Sequence, residues 1–321
     1  MTTNNNLPTS NHFRLTQLAD GVYAAIAIEG TGSGSNAGII DLGERTLVFD
    51  TFLTPQAGDD LHAAAEQLLG RPVAYVINSH FHADHVHGNQ AFGAETVIIS
   101  TGRTRELLET RGAKAILDYK TRAQEHLQSL EAKLAAEQDE QERKGLALQI
   151  AEDRELIAAA PRLALRLPDQ TFEERLVFHG SKRSAELLCY GGGHTDSDAF
   201  LVLPNEKLAF MGDLLFVQSH LWIGDGHPEE WLRILGRMPE VGLQTVVPGH
   251  GPIGTPEDFQ AEVDYIKMLE QIVARALKSG KSAEEAQATP IPEAYANWAW
   301  REGFGYNIGA LYKRASRGAG A

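Results

Sequence analysis

Cysteine is nearly absent from this chain, Cys189 being the single one. An intramolecular disulfide framework and any cysteine-rich zinc site are thereby excluded. Basic residues are scarce as well: 29 Lys+Arg stand against 43 Asp+Glu, a formal net charge of −14 over 321 residues. Broad electrostatic binding to nucleic acid or to an anionic membrane needs clustered Lys/Arg, so neither partner is expected. No apolar run of about 20 residues is present, and no transmembrane helix is expected. The opening residues, Met1 to Asn11, lack the basic and apolar regions of a signal peptide, which predicts a cytoplasmic protein. Hydrophobic residues at 43% and charged residues at 22% are globular proportions and exclude extensive disorder.

Residues 1 to about 12 read as a disordered leader. Short apolar runs between turn residues then predict strands at Val22–Ile28, Ala37–Leu42 and Thr46–Phe49. The Gly30–Asn36 segment between the first two reads as a hairpin tip, because no phosphate-loop pattern or following helix accompanies it. Asp59–Leu69 has helical character and Val73–Asn78 is a buried strand, an alternation that predicts sheets covered by helices. Residues 104–160 contain no proline and only Gly112 and Gly145 as glycines. Leu127, Leu130 and Leu134 follow helical spacing, as do Leu146, Ile150 and, less strictly, Leu156. This stretch reads as a helical insertion within one domain spanning 1–321, serving as an edge hairpin, a lid or a homodimer face. Strands resume at Leu187–Tyr190, Ala199–Leu203, Leu208–Met211 and Thr245–Val247, and helices at Glu257–Lys278, Ala283–Ala288 and Trp298–Arg314.

Ligand-type side chains follow four of these strands. His80-Phe81-His82-Ala83-Asp84-His85 comes after Val73–Asn78. In an extended segment His80 and His82 face one way, and a turn then sends Asp84 and His85 to a second position nearby. His194 follows Leu187–Tyr190 behind three glycines, Asp213 ends the strand from Leu208, and His250 ends the strand around Val246. Imidazole and carboxylate suit zinc-like ions. Five histidines and two aspartates exceed one tetrahedral ion and suit two ions sharing a bridge.

With this pattern of His80-x-His82-x-Asp84-His85, then His194, Asp213 and His250, the chain resembles the metallo-β-lactamase superfamily. The resemblance implies an α/β fold, a four-layer αββα sandwich with the metal site at one edge of its two sheets. It further implies that His80, His82 and His194 hold one divalent ion, that Asp84, His85 and His250 hold the other, and that Asp213 bridges them with a water or hydroxide. Zinc is the expected metal; an all-His/Asp set also admits manganese, iron or cobalt. Asp84 is expected to orient the nucleophile and pass a proton to the leaving group. Asp50 and Asp198 match family positions that support the ligands from behind.

Departures from the pattern sort the branches of the family. His82 stands where flavodiiron-type relatives carry a carboxylate, and Asp213 stands where one class of zinc β-lactamases has cysteine. Persulfide-oxidising mononuclear iron relatives keep fewer ligands. The expectation is a dinuclear hydrolase acting on an ester-like bond of a small molecule, with a lactone or carboxylic ester favoured. The alternatives are a glyoxalase II-like thioesterase, promiscuous β-lactamase or phosphotriesterase activity, and a nucleic-acid phosphodiesterase, which the acidic charge disfavours. A scaffold that has lost catalysis is argued against by the intact set of seven. His87 is expected to pack rather than bind metal. His220 and His227 are expected to line the cleft or to be solvated in the Phe216–Pro228 loop. Trp222, Gly30–Asn36, the insertion and Tyr306 are candidate cleft walls.

Overall fold

The computed structural model describes residues 7–318, and two sheets form its centre. The larger runs in the order β1 (Phe13–Ala19), β2 (Val22–Ala27), β3 (Ala37–Asp41), β4 (Thr46–Phe49), β5 (Val73–Ile77), β6 (Val97–Thr101) and β7 (Gln170–Phe172). Its first four strands pair antiparallel and its last four parallel. The smaller sheet is ordered β12 (Thr245–Val247), β11 (Leu208–Phe210), β10 (Ala199–Leu203), β9 (Ser184–Cys189) and β8 (Arg175–His179), antiparallel except where β11 meets β12.

Strand alternation builds the layers. In β4, Leu47 and Phe49 point between the sheets while Val48 points outward. In β10, Ala199, Leu201 and Leu203 face the inter-sheet core, and Phe200 and Val202 face the opposite layer. Helix α1 (Pro55–Leu69) covers the outer face of the larger sheet through Ala57, Leu61, Ala64 and Ala65. Its start is set by Pro55 in the first turn and by the Thr54 hydroxyl, which accepts from the Ala57 N–H; Gly70, at φ 65°, ends it. The outer face of the smaller sheet is covered by α6 (Pro228–Leu235), α8 (Glu257–Lys278) and α10 (Glu302–Gly318), with Trp231, Tyr265, Leu269 and Ile308 buried there. Short helices α2 (Ala83–Val86), α3 (Gly102–Leu107), α7 (Met238–Val241) and α9 (Ala283–Gln287) fill connections. The result is the four-layer αββα sandwich expected from the resemblance.

Between β6 and β7 the chain forms α3, one turn of π-helix at Leu108–Gly112, and the long helices α4 (Ala113–Ala136) and α5 (Glu140–Ala159). These two pack through a small core of their own, Leu127, Leu130 and Ile150, with Leu134, Leu146 and Ile157 at its margin. Ile157 takes the place assigned to Leu156, one position away on the helix. Several expectations change elsewhere. The leader reading fails over residues 7–12, because the Ser10 hydroxyl donates to Asp60 at 2.6 Å and Leu7 packs on the outer layer; residues 1–6 lie outside the described part. Strands β1, β7 and β8 and helix α6 were not legible, and α10 begins four residues after Trp298. Among the described residues no helix is long and apolar enough to cross a membrane.

Candidate metal centre

Four strand ends deliver the candidate ligands to one edge of the sandwich. Beyond β5, the extended backbone of His82 (φ −66°, ψ 149°) precedes α2, which turns Asp84 and His85 away from His80 and His82. His194 follows β9, Asp213 follows β11 and His250 follows β12. Two glycines permit the close approach. Gly212 sits at φ 52° against Ser79, and a Cβ on Gly249 would stand 1.9 Å from Asp213 Oδ1. The edges are tied by Ala199 N–H donating to Ser79 O at 2.8 Å and Gly249 N–H to Gly212 O at 2.7 Å.

The structure brings all seven side chains together in two groups. One ligand atom each from His80, His82, His194 and Asp213 lie within 4.8 Å of one another, and so do those of Asp84, His85 and His250. Asp213 faces both groups. Its Oδ2 is 3.2 Å from His194 Nε2 and 3.3 Å from His250 Nε2, and its Oδ1 is 3.1 Å from His85 Nε2. Asp84 Oδ2 lies 3.4 Å from His85 Nε2 and 3.3 Å from His250 Nε2. His80 Nε2, His85 Nε2 and Asp213 Oδ1 are buried with no hydrogen-bond partner. Buried polar atoms of this kind are costly unless something ligates them, and imidazole nitrogen with carboxylate oxygen is the donor chemistry of divalent transition ions. The residues fit such ions.

Charge within the group is strongly organised. Burial works against ionised Asp213, yet His250, His85 and His194 hold its carboxyl well below the usual range. Burial likewise opposes Asp84, which His85 and His250 hold well below. His194 is pushed down to about 3 by burial, with the neighbouring imidazoles adding to it. Burial and the His85 and His82 rings lower His80 too. These shifts favour anionic carboxylates and neutral His80 and His194, whereas burial is outweighed at His250, which Asp213 and Asp84 push up to about 10, so that ring would give up a proton on taking an ion.

A single buried carboxylate behind the site sets two of the rings. Asp50 accepts from the Ser79 N–H, the Ser79 hydroxyl and His85 Nδ1, each at 2.8 Å. With its proton committed to Asp50, the Ser79 hydroxyl can only accept from His80 Nδ1, 2.9 Å away. Both rings therefore carry a proton on Nδ1 and turn Nε2 to the centre. Burial opposes a charged His85, yet Asp213 and Asp84 hold it well above the usual range, so an ion taken there would displace its Nε2 proton. Asp50 itself sits at φ 56°, a left-handed backbone that this network holds in place. Asp198 supports the site through the backbone that carries a ligand. It accepts from the Gly193 N–H at 2.7 Å and from the Thr195 N–H and hydroxyl, fixing the loop that carries His194.

Other histidines separate cleanly. His87 is buried, pushed down to about 4 by that burial, and joins neither group. His220 neither lines the cleft nor is solvated, contrary to both expectations; it is fully buried and bonded to Tyr265 Oη at 2.6 Å. His227 is exposed and lies 2.9 Å from Asp196. Three contacts had no sequence signal. Asp225 Oδ2 lies 3.2 Å from His82 Nε2, Arg111 binds the other Asp225 oxygen at 3.2 Å, and Glu152 accepts from the Gly32 N–H at 3.1 Å. Gly32 belongs to the β2–β3 loop, where the Ser35 hydroxyl donates to Asp84 O at 2.6 Å. Arg301 binds Glu142 at 2.9 Å and Gln149 bonds Glu302, so α5 spans from that loop to the start of α10. The helices of 104–160 thus brace the mouth of the centre.

The family model described as the metallo-beta-lactamase superfamily matches residues 30–250, a span that ends on the last of the seven side chains. The chain belongs to the metallo-beta-lactamase superfamily. It is thereby a metal-dependent hydrolase. Among solved structures it is similar to a metallo-beta-lactamase from Pontibacter korlensis, at 18% identity and a TM-score of 0.59, over 79% of this chain and 99% of that one. At that identity the likeness speaks for the superfamily fold alone.

Proposed function

We propose that the chain is a dinuclear hydrolase cleaving an ester-like bond of a small molecule, a lactone or carboxylic ester first and a thioester second. The observation that carries the reading is the position of Asp213, whose two oxygens lie 3.1–3.3 Å from imidazole nitrogens of both donor groups. His80, His82 and His194 would hold one ion, Asp84, His85 and His250 the other, with Asp213 shared. Two divalent ions held there, zinc by preference, would lower the pKa of a water towards neutrality and would polarise the scissile bond.

The remaining work belongs to the side chains. Asp84 is the carboxylate of the set that opens to the cleft, at 23% side-chain exposure, with His85 and His250 keeping it ionised. It can accept the proton of the attacking water and return it to the leaving oxygen. Asp50 and Ser79 hold the Nδ1 side of the His85 and His80 rings, so that each turns Nε2 to the centre. Arg111 is paired with Asp225, the carboxylate against His82, and Arg103 with Asp196, two residues after His194, while Glu152 adds a further carboxyl at the β2–β3 loop. Such surroundings suit a neutral small ester better than a phosphate backbone, which needs unpaired cations.

Proton release from a panel of lactones, simple esters, glutathione thioesters, β-lactams and phosphodiesters tests the reading, with Asp213→Ala as the blank. Lactones or carboxylic esters are expected to lead. Preference for phosphodiesters, or equal turnover by the blank, would overturn it.

A further inference from the structure

Tyr306 and Leu117 are the exposed large hydrophobic side chains of the described residues, at 40% and 61%. Leu117 lies on α4 and Tyr306 on α10. Tyr306 stacks on Trp222 with ring centroids 4.1 Å apart and planes 15° apart, and Trp222 in turn meets Trp300 at 5.8 Å. Trp222 is three residues before Asp225, the carboxylate in contact with His82. A Cβ on Gly224 would stand 2.7 Å from the Tyr306 hydroxyl, so the far end of the ring reaches the residue that precedes Asp225.

A lone exposed aromatic is ordinary and needs no explanation. Three neighbouring rings, one of them in the loop that carries Asp225 to His82, are a different matter. Tyr306 is exposed, while nearby Asp225 is joined to Arg111, and Glu302, one turn before Tyr306, is joined to Gln149. Core packing accounts for Phe304, Ile308 and Leu311 on the same helix but not for Tyr306. The bordering charges are already paired, so the stack offers apolar ring surface between satisfied polar groups.

We propose that Tyr306 and Trp222 form the subsite that takes a flat apolar group of the substrate, an aryl-bearing acyl moiety, and hold it beside the His82 edge of the centre. The inference rests on the hydrolase reading of that centre. Offset stacking and the removal of ring surface from water supply the attraction. Neither residue carries a group that the reaction needs, so the effect falls on binding rather than on turnover.

The test compares ethyl phenylacetate with ethyl acetate, using zinc-loaded full-length protein, its Tyr306→Ala and its Tyr306→Phe variants. Tyr306→Ala is expected to raise KM for the phenylacetyl ester about tenfold with kcat nearly unchanged, a size set by ring stacking plus buried area. Ethyl acetate is expected to be unaffected, Tyr306→Phe to behave as wild type, and zinc content to stay the same. Should Tyr306→Ala fail to fold, Tyr306→Leu keeps apolar volume without a ring and gives the same comparison. An equal rise for both esters, or none, overturns the subsite. Calorimetric binding of phenylacetamide against acetamide separates the two readings. A phenyl advantage lost in Tyr306→Ala supports the subsite even if no ester is cleaved, in which case the hydrolase reading falls. Equal binding of both amides by wild type overturns the subsite whatever the hydrolysis shows.

Discussion

His85 Nδ1 donates to Asp50 Oδ2 over 2.8 Å while its Nε2 lies 3.1 Å from Asp213 Oδ1, so one imidazole joins the buried carboxylate behind the site to the carboxylate at its centre. Through Ser79 the same Asp50 also sets His80. Asp50→Asn replaces the acceptor with an amide that can present N–H to His85 Nδ1 or to the Ser79 hydroxyl, and through Ser79 it disturbs His80 as well. The expected outcome is metal affinity weakened by about 10–100-fold. Chelator competition with a chromophoric zinc indicator measures it, and unchanged affinity would count against the network.

Asp213→Ala removes the group that faces both donor sets. Metal content by plasma mass spectrometry is expected to fall from two ions per chain to one or none, and hydrolysis by at least about 10³-fold, as befits several kcal/mol of lost charge stabilisation. Two retained ions would remove Asp213 from the bridging position.

Gly249→Ala tests the same bridge without altering any donor. The added Cβ would stand 1.9 Å from Asp213 Oδ1, and the nearest alternatives are backbone atoms of Gly212. The carboxylate must shift, so metal stoichiometry and hydrolysis are expected to fall together while circular dichroism stays native.

Much of this centre was legible because His80 to His85 places four donors in six positions after a strand, where no long-range knowledge is needed. The strands with clean alternation, such as Thr46–Phe49 and Ala199–Leu203, were legible for the same reason. β1 was not, because its edge position leaves Arg14, Thr16 and Gln17 mixed among apolar residues. Asp225 reaches His82 across 143 positions and Glu152 reaches Gly32 across 120, and no local pattern encodes such contacts. His220 misled because its loop context suggests solvent, while Tyr265, 45 positions on, draws it into the core.

Glu152 gives a pH signature. Burial, with Asp84 and Glu155 adding to it, raises its pKa from 4.5 to about 7. The folded chain therefore keeps this proton where the unfolded chain has lost it, and the group's contribution to stability falls as pH rises from 4.5 to about 7. Glu152→Gln keeps an acceptor for the Gly32 N–H and has no charge to lose. Chelator-treated Glu152→Gln is expected to match wild type below the lower pKa and to exceed it above neutrality, by at most roughly 3 kcal/mol. Thermal melts across this pH range check it, and a gap independent of pH would contradict it.

In the proposed hydrolase two ions act jointly through Asp213. Titrating zinc into chelator-treated wild-type protein while following hydrolysis of the preferred ester tests it most directly. Activity is predicted to reach its plateau only at two equivalents per chain; a full plateau at one equivalent would contradict the account.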